Sequence, residues 1–83
     1  MDIEIRAARS SALLNNEHFI DTLKELRERQ KDIFASSAAS DVEAREEAHA
    51  IIRALNEIEV SLKADVDAVT ILKKRKEQHR GND

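Results

Sequence analysis

Residues 36–48 read SSAASDVEAREEA, and this stretch decides the fold. Five small residues at positions 36–40 interrupt a composition that is otherwise uniformly helical. Ser40 and Glu43 then form an S-x-x-E capping box, and Asp41 places a carboxylate where a helix start is positive. The stretch therefore predicts a loop over residues 36–40 and a new helix from about residue 41.

The composition on both sides of this loop indicates an all-α protein. The 83 residues include one glycine, no proline and no cysteine, and 37% of them are charged, with a net charge of −3. Good helix formers dominate, and the residues that usually interrupt helices are nearly missing. Without cysteine, the sequence excludes disulfides, thiolate metal sites and thiol nucleophiles.

The segment from about residue 41 to about residue 78 is expected to be one helix about 55 Å long. Its apolar residues recur at intervals of seven, which is typical of a helix that packs along another helix. One track holds Ala48, Leu55, Leu62 and Val69, and the other holds Ile51, Ile58 and Leu72. Asp65 interrupts the second track.

Residues 3–35 show the same period and predict a first helix about 50 Å long. The track comprises Ile5, Ala12, Phe19, Leu26 and Ile33, and its phase is expected to continue through Asn15-Asn16. The two amide side chains can cap or bend a helix, so a bend there is compatible with this pattern. Residues 1–83 are therefore predicted to form one domain, a long antiparallel two-helix hairpin.

In this hairpin each large apolar residue finds an apolar partner across the seam. Leu23 is expected opposite Leu55, and Arg9 is expected near Asp65 and Asp67. The residues assigned to the seam are Ile5, Leu13, Phe19, Leu23, Leu26, Ile33, Leu55, Ile58, Leu62 and Val69.

Each helix carries an apolar stripe wider than one seam requires. Ile20, Phe34, Ile52 and Val66 lie at the margin of this stripe and are the predicted oligomer interface. A core of this size supplies only a few kcal/mol, and association would add to it. We therefore expect a homo-oligomer, as a four-helix bundle or a larger assembly, or docking on another protein.

The C-terminal segment is the most basic part of the chain. Residues 73–83 have a net charge of +3, against −6 for residues 1–72. Cations at a helix end complement the helix dipole, and this is the favoured interpretation. The alternative is a phosphate-contacting tail for DNA or RNA, formed by Lys73, Lys74, Arg75, Lys76 and Arg80.

The sequence offers little support for catalysis or metal binding. Glu46-x-x-His49 has the spacing of a di-iron motif, with Glu28 expected nearby, but a second such motif is missing, so a solvated charged face is favoured. His18 and His79 have no companion at ligand spacing, and no glycine-rich phosphate loop occurs. We expect no enzyme activity, no cofactor and no metal.

Three segments of the sequence are similar to those of a known group of proteins. They are Leu13-Leu14-Asn15-Asn16-Glu17-x-Phe19, Asp41-x-Glu43-x-Arg45-Glu46-Glu47 and Ile52-Arg53-Ala54-Leu55. With them the chain resembles small helical proteins of tailed bacteriophages and prophages. This resemblance implies a virion-assembly or DNA-packaging protein that acts through self-association. With no signal peptide or membrane span in the sequence, the expected location is the host cytoplasm or the virion.

Three functions thus follow as hypotheses. The first is a self-associating structural or assembly component. The second is a nucleic-acid-binding accessory that uses the basic tail in several copies. The third is a small inhibitor whose apolar stripe docks in a groove of a host protein.

Overall fold

The computed structural model describes the backbone of residues 2–81 and the side chains of residues 2–78. It contains three helices: α1 (Ile3–Leu14), α2 (Glu17–Ser36) and α3 (Val42–Gly81). No strand occurs among residues 2–81, so the prediction of an all-α fold is confirmed. The predicted first helix is divided into α1 and α2, so the two-helix description holds only as a hairpin with a broken arm.

The break falls at Asn15-Asn16, where the sequence left a bend open. Asn15 ends α1, and its N–H donates to the Ser11 carbonyl at 3.0 Å. Asn16 begins α2, because its side-chain Oδ1 accepts the Phe19 N–H at 2.9 Å and its backbone is extended. Amide side chains are favoured at helix N-caps for this reason, so two adjacent asparagines end one helix and start another.

The loop before α3 differs from the predicted capping box in one position. Asp41, rather than Ser40, caps α3, since Asp41 Oδ1 accepts the Ala44 N–H at 3.2 Å. The helix accordingly begins at Val42 and runs to Gly81, beyond the predicted end at residue 78. Aspartate and serine are about equally good caps, so the sequence did not decide between two neighbouring candidates.

Arg45 holds this loop in place from within α3. Its guanidinium donates from Nη1 to the Ala38 carbonyl at 2.6 Å and from Nη2 to the Ala39 carbonyl at 3.0 Å. The fork of the guanidinium suits two neighbouring acceptors. A charged residue of the first turn therefore satisfies two loop carbonyls.

Both α1 and α2 pack along α3 and contact each other only slightly. The molecule measures 65 × 25 × 20 Å, so α3 runs along its whole length. Five residues of the described side chains are buried: Ala7, Ser10, Leu23, Ala48 and Leu55. Among the described residues no large side chain is completely removed from solvent.

The buried face changes phase at the break, so the prediction of a continuous track was wrong. Ala7 and Ser10 face α3, whereas Ile5 is 50% exposed and Ala12 is exposed. The break reorients α1 relative to α2, and the spacing of seven no longer connects the two helices. Small residues instead let α1 approach α3 closely.

The remaining seam assignments hold only in part. Leu23 and Leu55 are buried, as predicted. Leu13, Ile33 and Ile58 are each 42% exposed, so they are only partly covered. The other members, Phe19, Leu26, Leu62 and Val69, are half-buried.

The break also shifts the register of the two arms. Ser10 of α1 contacts Asp65, close to the predicted position of Arg9, but Arg27 of α2 contacts Glu59, whereas the predicted pairing of Leu23 with Leu55 places Glu59 opposite residue 19. The residues of the break add to the chain but advance it little along the long axis of the molecule. The second part of the arm therefore lies opposite a later part of α3 than predicted.

Candidate association surfaces

One flank of the hairpin carries a groove between α2 and α3 near the loop. Its volume is about 330 Å³, and its apolar lining includes Phe34, which is 45% exposed, and Ile52. Lys31, His49 and Arg53 also line this groove, and we call it the basic groove. Its chemistry combines an apolar floor with a cationic rim.

The basic groove brings together two of the four residues of the predicted interface, Phe34 and Ile52. Val66 lines a separate groove between α1 and α3, together with Ala7 and Ser11. Ile20 is half-buried on α2. The four residues stay a prediction of an interface, and the structure divides them between at least two places.

The other flank is formed by aliphatic side chains, three of which, Leu26, Ile33 and Ile58, were predicted to lie in the seam. Ile33 and Ile51 directly precede Phe34 and Ile52, and one residue turns a helix by about 100°, so they lie away from the basic groove. Leu26 and Ile58 are seven residues from them and share their faces. We call Leu26, Ile33, Ile51 and Ile58 the aliphatic flank.

A polar cluster joins α1 to α3 farther along the hairpin. Ser10 Oγ donates to Asp65 Oδ2 at 2.7 Å, and Arg6 Nε lies 3.0 Å from Asp65 Oδ1. The Ser10 hydrogen bond is the main reason that the pKa of Asp65 is lowered, with a further contribution from Arg6, although desolvation opposes it. Sequence spacing did not reveal Arg6 and Ser10 as partners of Asp65, and the predicted position of Arg9 near Asp65 and Asp67 stays a prediction.

A second ion pair joins α2 to α3. Arg27 Nη1 lies 2.5 Å from Glu59 Oε1, and both side chains are mostly shielded from solvent. Lys63 approaches the other Glu59 oxygen at 3.9 Å. This pairing neutralises charges that lie beside the apolar contact.

The basic residues near the C-terminus lie on the last part of α3. Lys73, Lys74, Arg75 and Lys76 are all exposed, and Lys73 lines a groove with Glu4 from the start of α1. The backbone of α3 continues to Gly81, so the helix extends past the start of α1. The predicted contact residue Arg80 lies outside the residues whose side chains are described.

The opposite end of the hairpin is acidic. Asp32, Asp41, Glu43 and Glu47 are exposed at the loop end, where Arg45 is committed to the loop carbonyls. Because α3 spans the molecule, these acids and the basic residues at its C-terminal end are widely separated. The loop end of the long axis is therefore acidic, and the C-terminal part of α3 at the other end is basic, with the exposed acids Asp2 and Glu4 of the start of α1 beside it.

The carboxylates and imidazole of the di-iron-like motif do not converge. Glu46 and His49 are exposed and line an open groove, while Glu28 pairs with Lys31 at 3.2 Å. Within the described part of the chain, no group of three or more histidine, aspartate or glutamate side chains could hold a metal ion.

Comparisons with protein families, curated proteins and solved structures give no match to this chain. No helix within the described residues is both long enough and apolar enough to cross a membrane. The surfaces described above are therefore the basis for a functional assignment.

Proposed function

We propose that this chain is a non-enzymatic helical protein that works by associating with copies of itself, as a structural, assembly or packaging-accessory component. The resemblance to small phage and prophage proteins suggests the setting, which is the virion or the host cytoplasm. The observation that carries the proposal is the amount of surface that one copy leaves uncovered.

A single copy exposes 6627 Å². A compact monomer of 9.4 kDa is expected to expose about 5,000 Å², so the hairpin exposes about 1,600 Å² more. One partner in a standard protein interface contributes about 800 Å². The excess exposed surface is therefore enough for one or two protein–protein interfaces of standard size.

The nature of the uncovered side chains supports the same conclusion. Ile33, Phe34 and Ile58 each expose more than two-fifths of their surface along a narrow molecule. Burying apolar area contributes about 25 cal/mol per Å². A second copy would thus supply core that the single hairpin lacks.

The test is the solution mass of the full chain, measured by light scattering over a concentration series at low and high salt. The proposal expects a defined oligomer that persists in high salt, because apolar burial is not screened. A monomer at all concentrations would overturn it and favour the host-inhibitor hypothesis, in which another protein covers the apolar surface.

One observation favours a second candidate, a nucleic-acid-binding accessory. Lys73 to Lys76 lie before the last turn of α3, whereas the favourable interaction with a helix dipole is confined to that turn. Four consecutive cations also point in all directions around the helix. The macrodipole interpretation therefore explains these residues incompletely.

The variant K73Q/K74Q/K76Q tests this candidate against the matched control K24Q/K31Q/K63Q, which removes the same charge from exposed sites elsewhere. If the segment contacts phosphates, the first variant loses affinity for a short DNA duplex and the slope of affinity against salt decreases by roughly one per lost contact. Equal affinity of the two variants would exclude a specific role for this segment.

A further inference from the structure

We propose that two copies associate side by side and antiparallel, with the aliphatic flank and the adjoining face of α3 forming a two-fold contact. This inference rests on the proposed function and specifies its surface and orientation. It differs from the interface predicted by sequence, which involves the basic groove.

Charge distinguishes the two flanks as places for a second copy. A two-fold contact brings each surface against itself. At the basic groove this would place Lys31 and Arg53 near their own counterparts. The aliphatic flank carries one cation on α2, the exposed Arg29, three residues after Leu26 and four before Ile33, so fewer cations face their own counterparts there than at the basic groove.

The face of α3 beside the flank is arranged for an antiparallel contact. Ile51, Ile58, Asp65 and Leu72 recur at intervals of seven and share one side of the helix. Glu47 lies four residues before Ile51 and Lys76 lies four residues after Leu72, so both extend this side. The side thus begins with an acid and ends with a base.

Antiparallel pairing about the middle of α3, near Ser61, matches these residues. It places Glu47 opposite Lys76 of the second copy and Ile51 opposite Leu72. Asp65 lies opposite Ile58, and its carboxylate already has Ser10 and Arg6 as partners within its own chain. A parallel arrangement would instead place Glu47 against Glu47 and Lys76 against Lys76.

The charges at the ends of the hairpin favour the same orientation. The loop end carries exposed Asp41, Glu43 and Glu47, and the other end carries exposed Lys74 and Lys76. In an antiparallel pair each acidic end lies beside a basic end. Complementary charges of this kind fix the orientation of partners more than they add affinity.

Because the chain has no cysteine, cross-linking can test the orientation directly. Single-cysteine variants of the full chain are treated with a short bis-maleimide. S61C, near the two-fold axis, is expected to cross-link to itself, whereas V60C, which is turned about 100° away and 65% exposed, is the control.

The end positions complete this test. E47C alone and K76C alone are expected to give little cross-linked dimer, and an equal mixture of the two is expected to give much more. Cross-linking of E47C to itself at the level of S61C would show a parallel pair and overturn the proposal.

Charge exchange tests the contact without altering apolar residues. E47K and K76E are each expected to weaken the dimer by roughly three- to tenfold, since two exposed ion pairs per dimer are replaced by like charges. The double variant E47K/K76E is expected to return to within about twofold of the original. Equal weakening in the double variant would contradict a direct contact between these residues.

A matched pair of apolar variants separates this inference from the proposed function. I58S and F34S remove side chains of similar exposure, 42% and 45%, and far-UV circular dichroism checks that both remain helical. We expect I58S to raise the dimer dissociation constant at least tenfold more than F34S. An oligomer disrupted by F34S and retained by I58S would overturn the inference and leave self-association intact, whereas a monomeric parent chain would overturn both.

Discussion

Ser10 of α1 and Asp65 of α3 are joined by a hydrogen bond of 2.7 Å, in which the serine hydroxyl donates to the carboxylate. Ser10 is 4% exposed and is the only buried polar residue among those the structure describes. The bond explains how the apolar track of α3 tolerates an acid, because Asp65 has an aligned donor on the packed helix. It also joins α1 to α3 beside the buried Ala7.

Asp65 makes the stability of the protein dependent on pH in the acidic range. Its pKa is lowered in the folded state, chiefly by the Ser10 hydrogen bond, so the unfolded chain binds this proton more readily. The contribution is fully present above the unfolded pKa of about 4 and is lost as the pH falls through the lower folded value. Melting temperatures between pH 7 and pH 2.5 should therefore fall more steeply for the parent chain than for D65N.

D67N serves as the control, because Asp67 is exposed and its replacement removes the same charge as D65N. A D65N curve that parallels the parent and D67N curves would argue against a stabilising role for the Asp65 carboxylate. S10A should reduce the pH dependence in the same direction as D65N, because it removes the main cause of the lowered pKa.

Leu55 is expected to be the most sensitive apolar position of α3. It is 8% exposed, so L55A creates a cavity and should reduce the free energy of unfolding by about 2–5 kcal/mol. V60A, at a site that is 65% exposed, should change it by less than about 0.5 kcal/mol. Urea unfolding followed by circular dichroism measures both, and similar losses in the two variants would contradict the packing described above.

Asn16 should matter more than its neighbour Asn15 for the start of α2. N16A removes the acceptor for the Phe19 N–H and is expected to cost about 1 kcal/mol. Asn15 supplies only a 3.4 Å contact from its side chain to Ser11, so N15A should have a much smaller effect. Thermal melts of the two variants make the comparison, and a larger loss in N15A would assign the break to a different cause.

Arg45 is expected to control the loop before α3. R45K cannot reproduce two hydrogen bonds from one planar group to the carbonyls of Ala38 and Ala39, so the loop should open more often. Amide hydrogen exchange at residues 37–41 should accelerate roughly three- to tenfold, which corresponds to about 1 kcal/mol. R53K, at an exposed site of the same helix, is the control and should leave this exchange unchanged.

Much of the secondary structure follows from local rules that can be read in the sequence. Near-absence of glycine and proline predicted helices, the small residues at 36–40 predicted the loop, and Asn15-Asn16 left a bend open. Each of these features depends on residues within one turn of one another. The choice of Asp41 over Ser40 as a cap escaped prediction, because both residue types make the same local hydrogen bond equally well.

The buried face of α1 was harder to predict. Ile5 has the size and spacing of a core residue, yet Ala7 and Ser10 face α3. The period of seven describes a straight helix, and the break rotates one segment relative to the next without any signal in the apolar pattern. The exposure of Ile33 and Ile58 was missed for a related reason, since both fit the spacing of the seam and yet are 42% exposed.

The sequence by itself determined that the chain is helical, where its arms meet and that it carries more apolar surface than a hairpin needs. Only the tertiary structure decided which residues α1 buries, which donors satisfy Asp65 and which side chains each flank presents. Helix formation depends on neighbours a few residues apart. The relative rotation and register of packed helices depend on contacts between residues such as Ser10 and Asp65, which are 55 positions apart in the chain.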